Sequence, residues 1–222
     1  MATLAGIFIT FAAIWLLIRT LGDRPTTYEG KPIEYWSEQL TNQDAGAREH
    51  AAGVVNSRII PQLTREMFSA TNDSVLRIAI IDQLNQLPGV HIFFVPAEGR
   101  RAAAALDLAS LGPAAKPAMP AFLKVLQGQD DPVRGPAIKA LVELQANPDV
   151  LIPLLLQCLS QPQGGSRDEA ADALAEFGQR SKAAVPILIK LLDDRSDKEL
   201  MQAVRRALKK IDPEAAAAAG LK

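Results

Sequence analysis

The residues of this chain that could perform chemistry are few and far apart. The single cysteine, Cys158, cannot form an intrachain disulfide, and the apolar run around it predicts a buried side chain. The two histidines, His50 and His91, are too few for a histidine-rich metal centre. The sequence contains no Gly-x-Ser-x-Gly elbow, no phosphate-binding glycine loop and no Cys-x-x-Cys pair. It therefore predicts no catalytic site, no metal and no cofactor.

The charge of the chain gives no general attraction to nucleic acid. There are 24 basic and 25 acidic residues, for a formal net charge of -1. One basic cluster lies on the last long predicted helix, without aromatic residues beside it: Arg205, Arg206, Lys209 and Lys210. This pattern favours the solvated face of a capping helix over a nucleic-acid groove.

The elements that would have to position any site repeat at an interval of 33 residues. A repeat of 20–50 residues is typical of arrays of stacked units, each of which touches only its neighbours. Four series of residues share the interval: Arg101, Arg134 and Arg167; Leu108, Leu141 and Leu174; Pro120, Pro153 and Pro186; Leu126, Leu159 and Leu192.

Each unit reads as two helices. The first carries Arg-x-x-Ala-x-x-x-Leu, whose spacing places all three side chains on one helix face. The second begins with the proline, because a first helical turn tolerates the missing N–H. We therefore predict an all-α fold, an α-solenoid of stacked antiparallel helix pairs, with regular repeats and a C-terminal capping helix over residues 97–222 and degenerate repeats over 32–96.

These strings resemble the HEAT repeat family. The stretch 130–141 matches the first-helix signature of that family apart from Gly135-Pro136, and Leu111-Gly112 and Phe177-Gly178 match its closing pair. The resemblance implies that the arginine series bonds to neighbouring repeats and is structural. The di-iron enzymes of this architecture need several His-Glu pairs, whereas this chain has one pair in the reverse order, Glu49-His50.

The first 18 residues carry no charged side chain. This length approaches the span of a hydrocarbon core, so we predict a membrane anchor over residues 1–22, in contact with lipid through 4–21, followed by a linker over 23–31. A secretory signal peptide is the alternative interpretation. The side of the membrane is open, because the basic residues after the apolar run favour a cytoplasmic body, whereas the segment 28–36 is similar to bacterial membrane-attached or exported HEAT proteins.

The N-terminal repeats are expected to start with a capping helix in which Trp36 packs onto the first repeat. Two helices should follow, over 45–55 and from Ile59 toward Phe68, and then a third over 75–87 that lacks a proline-led partner. In place of that partner stands an irregular loop, 88–96, bracketed by prolines. The loop either covers the gap or forms a docking edge, and its candidate partner-binding residues are His91, Ile92, Phe93 and Phe94.

The sequence as a whole predicts a non-catalytic, membrane-tethered scaffold that binds a protein partner along the concave surface of the solenoid. The alternative is a lyase or enzyme accessory of HEAT type that acts on a small molecule. A deep pocket lined by convergent polar residues would favour the alternative, and a broad groove would favour the scaffold.

Overall fold

A computed structural model describes residues 26–69, 73–128, 132–161, 165–193 and 197–221. No helix within these ranges is long and apolar enough to cross a membrane, and the predicted anchor over 1–22 lies outside them. The helices are α1 (Ile33–Gln39), α2 (Ala45–Val54), α3 (Ile60–Met67), α4 (Val75–Asn85), α5 (Ala97–Ser110), α6 (Met119–Gln127), α7 (Arg134–Glu143), α8 (Pro148–Ser160), α9 (Arg167–Glu176), α10 (Val185–Leu191), α11 (Lys198–Ile211) and α12 (Pro213–Ala218).

The regular repeats are the pairs α5/α6, α7/α8 and α9/α10, closed by α11. The first helices α5, α7, α9 and α11 pack side by side, and each second helix packs against the first helix of the following pair. Leu108, Leu141 and Leu174 are fully buried between these layers. The prediction of an all-helical array of stacked pairs is confirmed for the described residues.

The first helices of the three repeats end in the same backbone conformation. Gly112 and Gly178 have φ of 55° and 54°, and the equivalent residue of the middle repeat, Gln145, has φ of 56°. At this end the N–H of Ala146 donates to the carbonyl of Leu141 at 2.9 Å, as in a Schellman motif. The left-handed position therefore belongs to the repeat, even where the residue is not glycine.

The proline series occupies two different positions. Pro120 and Pro186 are the second residues of α6 and α10, each after a 3₁₀ segment. Pro153 lies inside α8, so the prediction that it begins a helix is wrong. In this repeat the side chain of Asn147 accepts a hydrogen bond from the N–H of Asp149, and α8 therefore begins at Pro148.

The N-terminal part also differs from the expected helix boundaries. The two helices predicted after residue 45 form one continuous rod, because a π-helical segment, Val55–Ile59, joins α2 to α3. The π turn precedes Pro61, whose missing N–H cannot make the normal α-helical bond. Part of the predicted linker is ordered: Tyr28 to Lys31 form a tight turn.

This turn packs on the capping helix α1. The indole N–H of Trp36 donates to the carbonyl of Tyr28 at 3.0 Å, and both side chains are buried. The Trp36 ring also lies 5.6 Å from the ring of His50 on α2, between ring centroids. Trp36 is therefore a core residue of the N-terminal cap, as its spacing predicts.

Candidate interaction surface

The segment 91–96 takes the place of the missing second helix beside α4. At one end, the side chain of Asn85 accepts from the N–H of Ile92 at 2.7 Å and donates to its carbonyl at 3.3 Å. At the other end, the carboxylate of Asp73 accepts from the N–H of Ala97 at 2.6 Å and from the guanidinium of Arg100 at 2.8 Å. The segment therefore runs along α4 from its last residue back to the residues that precede it.

The four candidate partner-binding residues of this segment divide between two sides. Ile92 is buried, and the Phe94 ring lies 4.8 Å from the guanidinium carbon of Arg77. His91 and Phe93 point to solvent, and 71% of Phe93 is exposed. Successive side chains of an extended segment point to opposite sides. Ile92 and Phe94 are thus covering residues here, and only His91 and Phe93 are available to a partner.

The helix that this segment accompanies, α4, has an exposed apolar surface. Val75 and Leu76 are 82% and 69% exposed, and Ile78 is also exposed. Of its large apolar side chains only Ile81 is buried, and α4 packs lightly on the other described helices. Together with Phe93, these residues define the α4 surface. Sequence reasoning noted the unpaired helix but did not identify Val75, Leu76 and Ile78 as exposed.

A groove of about 500 Å³ opens beside Phe93. Thr26, the first described residue, lies on its lining together with the side chains of Glu66 and Asp107. Burial, with added repulsion from Glu34 and Glu66, raises the pKa of Asp107 above its usual range. The charged lining of the groove is mixed, because Arg77 and Arg100 line it together with Glu66 and Asp107, and the ring of Phe93 adds an apolar part.

The first two residues of the arginine series bind neighbouring backbone. Arg101 Nε donates to the carbonyl of Met67 on α3 at 2.8 Å. Arg134 is fully buried, and its guanidinium donates to the carbonyl of Gly128 at 2.8 Å and to Oε1 of Gln161 at 2.7 Å. Both guanidiniums pair with groups that a helix end or loop would otherwise leave unsatisfied.

The third arginine has a more open setting. Arg167 is half-buried and lines a groove of about 570 Å³ between α8 and α10, together with Leu159, Pro186 and Lys190. This groove and the groove beside Phe93 both open to solvent. Neither is an enclosed cavity, although the groove beside Phe93 carries several charged side chains on its lining.

The basic cluster of α11 pairs with the preceding repeat. Arg206 donates to the carboxylate of Asp172 at 2.8 Å, and Lys210 donates to Glu176 at 2.8 Å. Because these side chains are largely exposed, each pair adds little to the free energy of unfolding, about 0–1 kcal/mol. The pairs join two of these cations to the preceding repeat, in keeping with a solvated capping face.

The remaining chemically active residue types have structural settings. Cys158 is buried, and burial raises the pKa of its thiol, which opposes formation of a reactive thiolate. His50 lies 3.3 Å from the carboxylate of Glu29 in the N-terminal turn. Across the ranges that the structure describes, no three histidine, cysteine or carboxylate side chains come together in a way that could hold a metal.

Comparison with known proteins agrees with the helical-pair architecture. Residues 152–220, from α8 to the end of α12, match the family model of HEAT repeats. No curated protein matches the chain. The match supports a resemblance to the HEAT repeat family for the C-terminal part of this chain.

Proposed function

We propose that this protein is a non-catalytic scaffold that binds a protein partner through its α4 surface. HEAT repeats commonly serve as protein-interaction scaffolds. The observation that carries the proposal is the exposure of Val75, Leu76 and Phe93 at the point where a paired array lacks a second helix. Large apolar side chains exposed on a helix that lacks a helical neighbour favour an interaction site.

The partner that fits this surface is an amphipathic helix. An apolar helix face would supply to α4 the neighbour that the second helices supply elsewhere in the array. This geometry supports a protein scaffold rather than an enzyme accessory acting on a small molecule.

The test is affinity capture with the full chain and with a variant in which Val75, Leu76 and Phe93 are changed to serine. We expect the variant to lose a partner that the unmodified chain retains, because serine removes the apolar area that would be buried. The matched control is Val150→Ser, an exposed apolar residue on α8. Capture of the same partner by the triple variant, or its loss with Val150→Ser, would contradict the proposal.

We further propose that the anchor over residues 1–22 tethers this scaffold to a membrane. The support is the uncharged stretch at 1–18, long enough in helical form to approach the span of a bilayer core. We expect the full chain to stay with membranes through alkaline carbonate washing, and a chain that starts at Asp23 to become soluble while it keeps its helical circular-dichroism spectrum. Release of the full chain by carbonate would refute the tether, and protease treatment of intact cells would identify the side that the body occupies.

A further inference from the structure

A glutamate side chain fills the contact between the second and third regular repeats. Glu169 on α9 lies against Gly135 on α7, which is buried. A Cβ atom at position 135 would lie 2.9 Å from Oε1 of Glu169 and 3.2 Å from its carboxyl carbon. The carboxyl group therefore occupies the space that an ordinary residue at position 135 would fill. This explains physically the departure of Gly135 from the repeat signature.

The carboxyl group has an unfavourable setting for a negative charge. Oε2 of Glu169 is buried and makes no hydrogen bond with the described residues, and Lys139 Nζ lies 3.7 Å from Oε1. Burial raises the pKa of Glu169 to about 7, the neighbouring Asp168 adds to this rise, and Lys139 opposes it. The charged side chains around the groove of about 240 Å³ at this contact are Lys139 and Glu143 from α7, and Asp168, Asp172 and Glu176 from α9; Arg206 from α11 pairs with Asp172.

We propose that Glu169 makes the contact between α7 and α9 dependent on protonation. In the neutral form, the carboxyl group rests on Gly135 and the two helices stay in close contact. In the ionised form, it moves toward water and Lys139, and the contact loosens. The carboxyl group of Glu169 exchanges its proton with solvent, and no other covalent bond forms or breaks.

The direction of the pH dependence follows from proton binding. The ordinary pKa of a glutamate is 4.5, so the folded chain holds this proton more tightly than the unfolded chain does. At a pH well below 4.5 the group is neutral in both states and has no effect on stability. The free energy of unfolding should fall as the pH rises from 4.5 toward 7 and should change no further through this group above that range.

The test is urea unfolding between pH 5 and pH 8, with two variants that act in different ways. Between pH 5 and pH 8, we expect the urea midpoint of unfolding of the natural chain to fall by roughly 0.5–1 M more than that of Glu169→Gln, which cannot ionise. Gly135→Ala should reduce the pH dependence without any change of charge, because its methyl group displaces the carboxyl group into water. The matched control is Glu143→Gln on the rim of the same groove, which should keep the pH dependence of the natural chain.

Hydrogen exchange gives a local measurement of the same contact. After correction for intrinsic exchange, amides of α7 and α9 should exchange several-fold faster at pH 8 than at pH 5.5 in the natural chain and at similar rates in Glu169→Gln. If the natural chain, Glu169→Gln and Gly135→Ala all show one pH dependence of unfolding, Glu169 does not control the contact. Because Gly135→Ala keeps every ionisable group, the proposal stays testable even if Glu169→Gln fails to fold.

Discussion

Gln145 adopts a backbone conformation that its residue type disfavours but that the other two repeats have at the same position. It occupies the left-handed position that Gly112 and Gly178 occupy in the neighbouring repeats. A side chain with a Cβ costs about 1–2 kcal/mol in this conformation, whereas glycine adopts it freely. The Schellman bond from Ala146 to Leu141 holds the position in place. The middle repeat thus carries a local backbone cost that the other two avoid.

We expect Gln145→Gly to raise the free energy of unfolding by about 0.5–1 kcal/mol, since the relief of strain exceeds the added freedom of the unfolded chain. The same substitution at an exposed position inside α8, Gln157→Gly, should lower it by about 1 kcal/mol. Urea unfolding at one pH measures both changes. If Gln145→Gly destabilises the protein as Gln157→Gly does, the left-handed conformation carries no strain.

The residue-level features that could be predicted are those fixed by the 33-residue interval. Leu108, Leu141 and Leu174 are buried because periodic apolar positions face the neighbouring helices. The contact of the Glu169 carboxyl group with Gly135 could not be predicted from the sequence, because it depends on the distance between α7 and α9. The sequence shows that Gly135 is unusual but does not show which side chain fills its place.

At the scale of elements, the pair formed by α4 and the segment 91–96 was predictable only in part. The bracketing prolines and β-branched residues indicate an extended segment, and the structure has one. Which residues face inward depends on register, because a shift of one residue exchanges the two sides. The side chain of Asn85 fixes that register through hydrogen bonds to the backbone of Ile92. No periodic pattern in the sequence predicts this contact.

Helix α11 closes the C-terminal end of the array by a different arrangement. Its apolar face is buried against the preceding helices, and its opposite face carries the basic cluster. The buried residues follow helical spacing: Leu200, Ala203, Val204, Ala207, Leu208 and Ile211. The sequence predicts this element well, because its start at the Asp197 cap and its amphipathic pattern are both local signals.

For the whole molecule, the free energy of unfolding should depend on which apolar helix surfaces are covered by a neighbouring element. In a stacked array each unit contacts only its neighbours, so the ends need covering elements. At one end Trp36 of α1 and Tyr28 of the preceding turn are buried, and at the other α11 covers α9. The α4 surface interrupts this pattern within the chain, which is why we place partner binding there and structural closure at α11.

Removal of α11 tests this division at the scale of the whole chain. A chain that ends at Asp193 should melt at least about 10 °C lower than the full chain, because the loss of the apolar face of α11 exposes α9 and costs several kcal/mol. It should also bind a hydrophobic dye such as ANS. The matched control ends at Asp212 and loses α12 and the residues after it, where Ala216 and Leu221 contact the core, so its melting temperature should fall much less. Equal melting temperatures for the two shortened chains would show that α11 is not the closing element and that the regular repeats are stable with α9 uncovered.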